Sequence, residues 1–355
     1  MRGATRWAAV ALLTVALGPV AAAVDYKIVT ASERGTYIRI GQDLAQYVAP
    51  DAGIDLEAVP SAGSVENVRR LRYEPGVKLA LVQSDVYQGY LDMAGAGNRN
   101  AASMIRRLRV VLPLYNEEIY FVARADAPWT YVHEIRNAKI NAGDVGSGTA
   151  LTTSTLYRLL FGSALPEAGT TYLPNEAALV KLITDRSIDV VAIVAGQPAK
   201  LLADMKPEAR QHVKLLKVDM DNAATKAALK TYFPATVRRA SYPNLLDDDL
   251  PGLAVKAFLV TYDFDRAQTE ERMRKFAQAL CRNLPVLREK GHPKWREVDI
   301  ALPELGRGWI YYPATQRELR QCLAPSKGLA PAATGAAARP ARACTRQEQI
   351  LGLCG

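Results

Sequence analysis

Cysteine is missing from the first 280 residues of this chain; its four copies, Cys281, Cys322, Cys344 and Cys354, all fall in the last quarter. No two of them are spaced CxxC, and the three histidines, His133, His212 and His292, lie far apart, so the usual donor pattern of a zinc site is lacking. A second long apolar run is also lacking after the first 23 residues, and that first run is shorter than the roughly 20 residues a membrane-spanning helix needs. Basic clusters at Arg69-Arg70-Arg72, Arg106-Arg107-Arg109 and Arg238-Arg239 have no interleaved aromatics, which reads as solvated helix faces rather than a nucleic-acid surface.

What is present begins with a leader. Arg2 and Arg6 precede "WAAVALLTVALGPV" and then Ala21-Ala22-Ala23, the charged, apolar and small-residue order of a secretory signal peptide with expected cleavage after Ala23. No cysteine follows the apolar stretch, so a lipid-anchored start is not supported. The leader carries two arginines and no acid, which takes the formal charge from +9 to +7 in the mature chain. An exported chain meets an oxidising compartment, where an even cysteine count implies disulfides. Three pairings are possible; Cys281 with Cys322, between two C-terminal helices, and Cys344 with Cys354, closing a small loop, are favoured.

The stretch "INAGDVGSGTALTTSTLYRLL", residues 140 to 160, passes through three glycines into a helical pattern. A P-loop needs Lys-Ser/Thr after its last glycine, and here Thr149 and Ala150 follow Gly148. A dinucleotide fingerprint needs a third glycine where Leu151 stands. With both nucleotide patterns failing, the loop reads as a small-anion site, using main-chain N–H groups at a helix start and the Ser147 and Thr149 hydroxyls, or as a plainly capped helix.

Four times an apolar run leads through a glycine-rich or polar turn into a helix: from Lys27, from Leu79, in the stretch just quoted, and from Val190. This predicts parallel strands covered by helices, with ligands at the carboxyl ends of the strands. Gly35 and Gln83 are 48 residues apart, as are Gly148 and Gly196, and each interval holds a short helix, "GSVENVRRL" or "NEAALVKLI". Two similar α/β lobes follow, with four turns converging on a cleft. The long β-rich run "VVLPLYNEEIYFVARAD", residues 110 to 126, is expected to change lobes, with a return near residues 232 to 243. The expected division is 24–117 with 236–323 as lobe 1, 118–235 as lobe 2, and 324–355 as an Ala/Pro-rich linker and tail.

The ordered set Gly35-Thr36-Tyr37, "GSVEN" at 63–67, "ALVQSDV" at 80–86, "LYNEEIYFVARAD" at 114–126, "GSGT" at 146–149 and "IDVVAIVAGQP" at 188–198 resembles the TAXI-type substrate-binding subunits of TRAP transporters. The resemblance spans about residues 25 to 262 and implies an α/β fold of two hinged lobes, type II-like among periplasmic binding proteins, with a ligand cleft between them. It implies a monomeric periplasmic receptor without cofactor or metal that closes on a small anionic or zwitterionic solute and delivers it to a membrane permease. The solute class it implies is glutamate, glutamine, a 2-oxo acid or a dicarboxylate. Carried over residue by residue, the ligand contacts are Gly35, Thr36, Tyr37, Ser64, Asn67, Gln83, Ser84 and Asp85 from one lobe, Tyr115 near the hinge, and Ser147, Gly148, Thr149, Gly196 and Gln197 from the other. The pair Glu33-Arg34 departs from the family's small-residue run, leaving Arg34 either a carboxylate counterion or a solvated rim charge.

Residue chemistry qualifies this set. Tyr37 and Tyr115 also suit a core edge, and Asp85 also suits a helix N-cap. Glu117 and Glu118 are neighbours on a strand and point to opposite faces, which disfavours a joint acid/base role. A hydrolase with Ser147 as nucleophile is the different-class alternative; Ser147 lies in GSG rather than a GxSxG elbow, and no histidine falls in a motif beside it. A sensor that hands its liganded form to a receptor protein is the third reading.

Overall fold

The structure is a computed structural model that describes residues 24–95, 97–305 and 308–323. The leader and the tail with Cys344 and Cys354 lie outside these residues. Among the described residues no helix is long and apolar enough to cross a membrane.

The first half alternates strand and helix: β1 (Val24–Val29), α1 (Thr36–Tyr47), β2 (Ile54–Val59), α2 (Ser64–Tyr73), β3 (Val77–Gln83) and α3 (Ser84–Gly95), then α4 (Arg99–Ile105). A 17-residue strand, β4 (Leu108–Arg124), leads out of it. The same alternation then recurs: β5 (Ile140–Asn141), α5 (Gly148–Phe161), β6 (Thr170–Thr171), α6 (Asn175–Thr184), β7 (Val190–Ala195) and α7 (Lys200–Ala203). Next come β8 (Val213–Leu215), α8 (Ala223–Ala228), β9 (Phe233–Val237), β10 (Leu250–Tyr262), α9 (Ala267–Lys290) and α10 (Pro313–Leu323).

One sheet carries both halves, in the order β2-β1-β3-β10-β4-β7-β5-β6, with β8 on β4 and β9 on β10. Both halves repeat the same local order: β1 lies between β2 and β3, as β5 lies between β6 and β7, all parallel. The 48-residue spacing is therefore topological. Gly35 and Gly148 stand where the first helix of each half begins, and Gln83 and Gly196 where its third strand ends. The sheet is mixed rather than purely parallel, because β4 and β10 are antiparallel to each other and to β7 and β3.

Those two long strands connect the lobes. β4 pairs with β7 through Glu118–Ala123, and β10 pairs with β9 through Leu250–Ala254 but with β3 through Ala257–Val260. The β10–β4 register shifts between Lys256 and Phe258, where the neighbours of one lobe end and those of the other begin. The side-chain cores divide at the same place. Val237, Tyr242, Leu246, Leu250, Leu253 and Val255 pack in second-lobe clusters, whereas Ala257, Phe258, Leu259 and Val260 pack in first-lobe clusters. The return crossing thus lies near Lys256, later than the expected stretch at 232–243, because that stretch forms β9 and a turn that pack beside β10 in the second lobe. This is the two-lobed α/β architecture with a cleft that the sequence led us to expect.

The first-lobe core sits on both faces of its sheet. On one face α1 and α9 bring Ile40, Leu44, Met273, Phe276, Leu280 and Leu287 onto β1 and β3; these follow the three- and four-residue spacing of one helix face. A disulfide joins Cys281 of α9 to Cys322 of α10. It is the pairing favoured from sequence between those helices.

Candidate functional site

A cavity of about 150 Å³ lies between the lobes, at the carboxyl ends of the parallel strands. Four helices of ten or more residues start at its wall: α1 with Gly35, Thr36 and Tyr37, α2 with Gly63 and Ser64, α5 with Ser147, Gly148 and Thr149, and α6 with Pro174, Asn175 and Glu176. The first three backbone N–H groups after a helix start have no intrahelical acceptor and sit at the positive end of the helix dipole. At α1, α2 and α6 no side chain caps them. At α5 the Ser147 hydroxyl accepts from the Ala150 N–H at 3.0 Å, so the capping reading of Ser147 holds while its residue still lines the cavity.

The lobes touch around this space. Glu66 N–H donates to Gly146 O at 3.1 Å, and the Thr36 hydroxyl donates to Gly196 O at 3.4 Å. Gly63 has φ +127°, and its α-carbon faces Ser147 and Gly148 across the cleft. Only glycine adopts that backbone readily, and its missing side chain permits the approach.

A family model described as NMT1-like matches residues 28–307. The chain belongs to the NMT1-like family. Among solved structures, it resembles the periplasmic binding protein BugD at 16% identity over 85% of this chain and 94% of that one, with a TM-score of 0.48. A putative periplasmic sulfonate-binding protein, SsuA from Methylobacillus flagellatus KT, is 13% identical over 85% and 86%, with a TM-score of 0.46. The arginine-, lysine-, histidine-binding protein ArtJ from Geobacillus stearothermophilus is 9% identical over 74% and 94%, with a TM-score of 0.43.

In this NMT1-like protein the residues expected at the ligand separate into two groups. Gly35, Thr36, Tyr37, Ser64, Gln83, Ser147, Gly148 and Thr149 line the cavity. Asn67, Ser84, Asp85, Tyr115, Gly196 and Gln197 do not, and each has another occupation. Asn67 is fully buried and donates to Thr30 O and Leu81 O at 2.6 and 2.7 Å, tying α2 to β1 and β3. The Ser84 hydroxyl accepts from Lys256 N–H at 3.2 Å. Asp85 Oδ2 accepts from the Thr152 and Tyr232 hydroxyls of the other lobe at 2.6 and 3.3 Å, so it bridges the lobes instead of capping with its side chain. Tyr115 is fully buried and lies 5.7 Å beneath the Lys294 ammonium. Gly196 packs against Thr36, Tyr115 and Lys294. Gln197 spends its side chain on Thr236 O and Arg238 N–H at 3.2 and 2.7 Å, holding the β7–α7 turn to β9. Glu33 and Arg34 are both exposed, and Arg34 stands at the mouth of the cavity.

Several residues in or beside the cavity wall were not singled out from sequence as ligand contacts, among them Glu117, which lines it, and Lys294, which lies outside it. Glu117 lines the cavity, and its Oε2 accepts from the Tyr37 hydroxyl at 2.6 Å. Burial pushes its carboxyl up to about 8, against the pull of the Tyr37 and Gln83 hydrogen bonds. Lys294 is buried with its Nζ 3.1 Å from Glu118 and 2.9 Å from Glu297. Glu118 also accepts from Gln197 N–H at 2.8 Å. The two adjacent glutamates thus serve different partners, as their alternation on β4 implied. Among the described residues no group of three or more His, Cys, Asp or Glu is placed to hold a metal, and no histidine lines the cavity beside Ser147.

Proposed function

We propose that the protein is a periplasmic solute receptor that closes its two lobes on a small carboxylate. The observation that carries this reading is the meeting of four long-helix N-termini, two from each lobe, on one cavity. Such amides bind anionic oxygen without a charged side chain. The volume of about 150 Å³ is well under the roughly 300–1,000 Å³ of pockets for drug-sized ligands, which suits a metabolite of amino-acid size. Export by the leader ending at Ala23 puts the receptor in the periplasm, and the family resemblance supports delivery of the solute to a TRAP-type permease by a monomeric receptor.

Thermal unfolding of the exported protein, refolded to strip any carried-over solute, tests binding against amino acids, dicarboxylates and 2-oxo acids. A solute with a dissociation constant of about 1 μM, present at about 1 mM, adds about 4 kcal/mol and raises the midpoint by several degrees. A folded protein that no carboxylate stabilises would overturn the reading. Uptake of the identified solute by cells with and without the gene then separates transport from sensing, since a sensor's loss leaves uptake intact.

A further inference from the structure

The cavity has two chemically different sides, and assigning them to the parts of one solute rests on the solute-receptor reading. One side is the amide-rich starts of α1, α2 and α5, which are hydrogen-bond donors. The other presents acceptors. Glu117 is 3% exposed, and the Tyr37 hydroxyl donates to its Oε2 at 2.6 Å. Gln83 is 4% exposed, lines the same cavity, and its Oε1 has no hydrogen-bond partner among the described residues.

The cations near Glu117 are committed elsewhere. Lys294 Nζ is held by Glu118 at 3.1 Å and Glu297 at 2.9 Å. Lys256, on the neighbouring strand, lies over the Phe233 ring and is pushed down by burial. Arg34 and Lys200 are exposed at the cavity's edge, where Asp144 and Glu176 also stand. The Tyr37 hydroxyl is therefore aimed at Glu117 as at an anion, yet among the described residues no cation forms an ion pair with it. An ammonium group has three donors and no acceptor, and so complements a carboxylate beside an unpartnered amide oxygen.

We propose that the solute is an α-amino acid, with its carboxylate on the amides of α1, α2 and α5 and its ammonium group on Glu117 and Gln83 Oε1. Specificity for an amine over a hydrogen, hydroxyl or keto group resides in Glu117. Burial holds a proton on Glu117 up to a pH of about 8. An arriving ammonium displaces that proton to solvent. Amino-acid affinity then rises with pH up to about 8, whereas an acid without the amine binds best to protonated Glu117, holds level up to about 8 and weakens above it. Tyr37 and Tyr115 do not titrate there, because burial raises both well above their ordinary value.

Calorimetry on the refolded, full exported chain tests this with matched pairs: alanine and propionate, glutamate and glutarate, leucine and 4-methylpentanoate. The amino member of the best pair binds tighter by roughly tenfold or more, the worth of one charged hydrogen bond. Its affinity rises with pH up to about 8 while its partner's holds level there and falls above, and Glu117→Gln collapses the ratio toward one and flattens both profiles. The two different pH profiles need only the wild-type protein, so the test survives a variant that fails to fold. Equal binding of both members, or an amino-acid preference that persists in folded Glu117→Gln, would overturn the inference and leave the carboxylate receptor standing. Binding of neither kind of acid by a folded protein would overturn both.

Discussion

Gly148 is fixed by residues of the opposite lobe: a Cβ there would overlap Gln83 Oε1 and come within 2.8 Å of Ser64 Oγ. Both neighbours are buried, so neither moves aside freely. Gly148→Ala is expected to fold normally and to bind solute about ten- to a hundredfold more weakly, the usual cost of about 1–3 kcal/mol for overpacking, now falling on the closed state. Titration calorimetry beside ligand-free melting checks it; an unchanged affinity would mean that Gln83 and Gly148 do not approach in the bound form. Asp85 gives a second prediction, with a definite sign. Burial raises its carboxyl to about 6, and its Oδ1 has no hydrogen-bond partner among the described residues. A raised carboxyl is protonated more readily in the folded chain than in the unfolded one, so its contribution to stability falls as pH climbs from about 4 to about 6 and stays lost above that. Asp85→Asn removes the charge and keeps an oxygen for Thr152 and Tyr232. Denaturant unfolding is expected to show the variant more stable at pH 7, by at most about 3 kcal/mol, with the gain gone near pH 4. No gain at pH 7 would place water beside Asp85.

Among the elements, α9 and α10 are joined by the Cys281–Cys322 bond across 41 residues of sequence. Closing a loop of that length restrains the unfolded chain by about 4 kcal/mol in the chain-entropy account. Replacing both cysteines by serine is expected to cost about 2–4 kcal/mol in denaturant unfolding under oxidising conditions. Neither helix lines the cavity, so solute affinity is expected to change by less than about twofold, as for distant sites. A large affinity loss would show that these helices position the first lobe's turns. The strand-turn-helix units were legible in sequence because their signals are local: "LALVQ" is a buried strand that ends in a polar turn, and Gly35, Gly63 and Gly148 stand at helix starts. Eight of the expected contact residues reached the cavity for the same reason. Asn67, Asp85 and Gln197 were polar and at such turns too, but what a buried polar side chain satisfies depends on strands far away in sequence. Glu117 was hidden for the converse reason. Its strand pattern gives its face, but its surroundings are made by Tyr37 and Gln83, 80 and 34 residues earlier. The late return near Lys256 was illegible because β9 and the turn after it carry no local mark of which lobe they join.

At the scale of the whole molecule, β4 and β10 pass between the lobes, and the register shift at Lys256–Phe258 interrupts their ladder at the crossing. Two strands with a local irregularity form a hinge about which rigid lobes can turn. Beside that hinge, the buried Lys294 of the first lobe holds Glu118, which in turn holds the Gln197 N–H of the second, a polar point about which the lobes would turn. Away from it, α3 and α5 also meet at Gly89, where a Cβ would stand 2.6 Å from Leu151 Cδ1. The end of a leucine side chain can yield to one methyl group, so alanine there is a weak test. A phenylalanine cannot be accommodated without separating the helices. Gly89 is outside the cavity wall, so Gly89→Phe leaves every lining side chain in place and acts on closure alone. Small-angle scattering is expected to show the wild type compacting on solute and the variant remaining extended, with affinity lower by about tenfold, equivalent to about 1.4 kcal/mol taken from the closed state. A variant that bound solute as tightly as the wild type would mean that α3 and α5 part in the bound form, and that the cavity is completed by the turns at the hinge without the lobes closing over it.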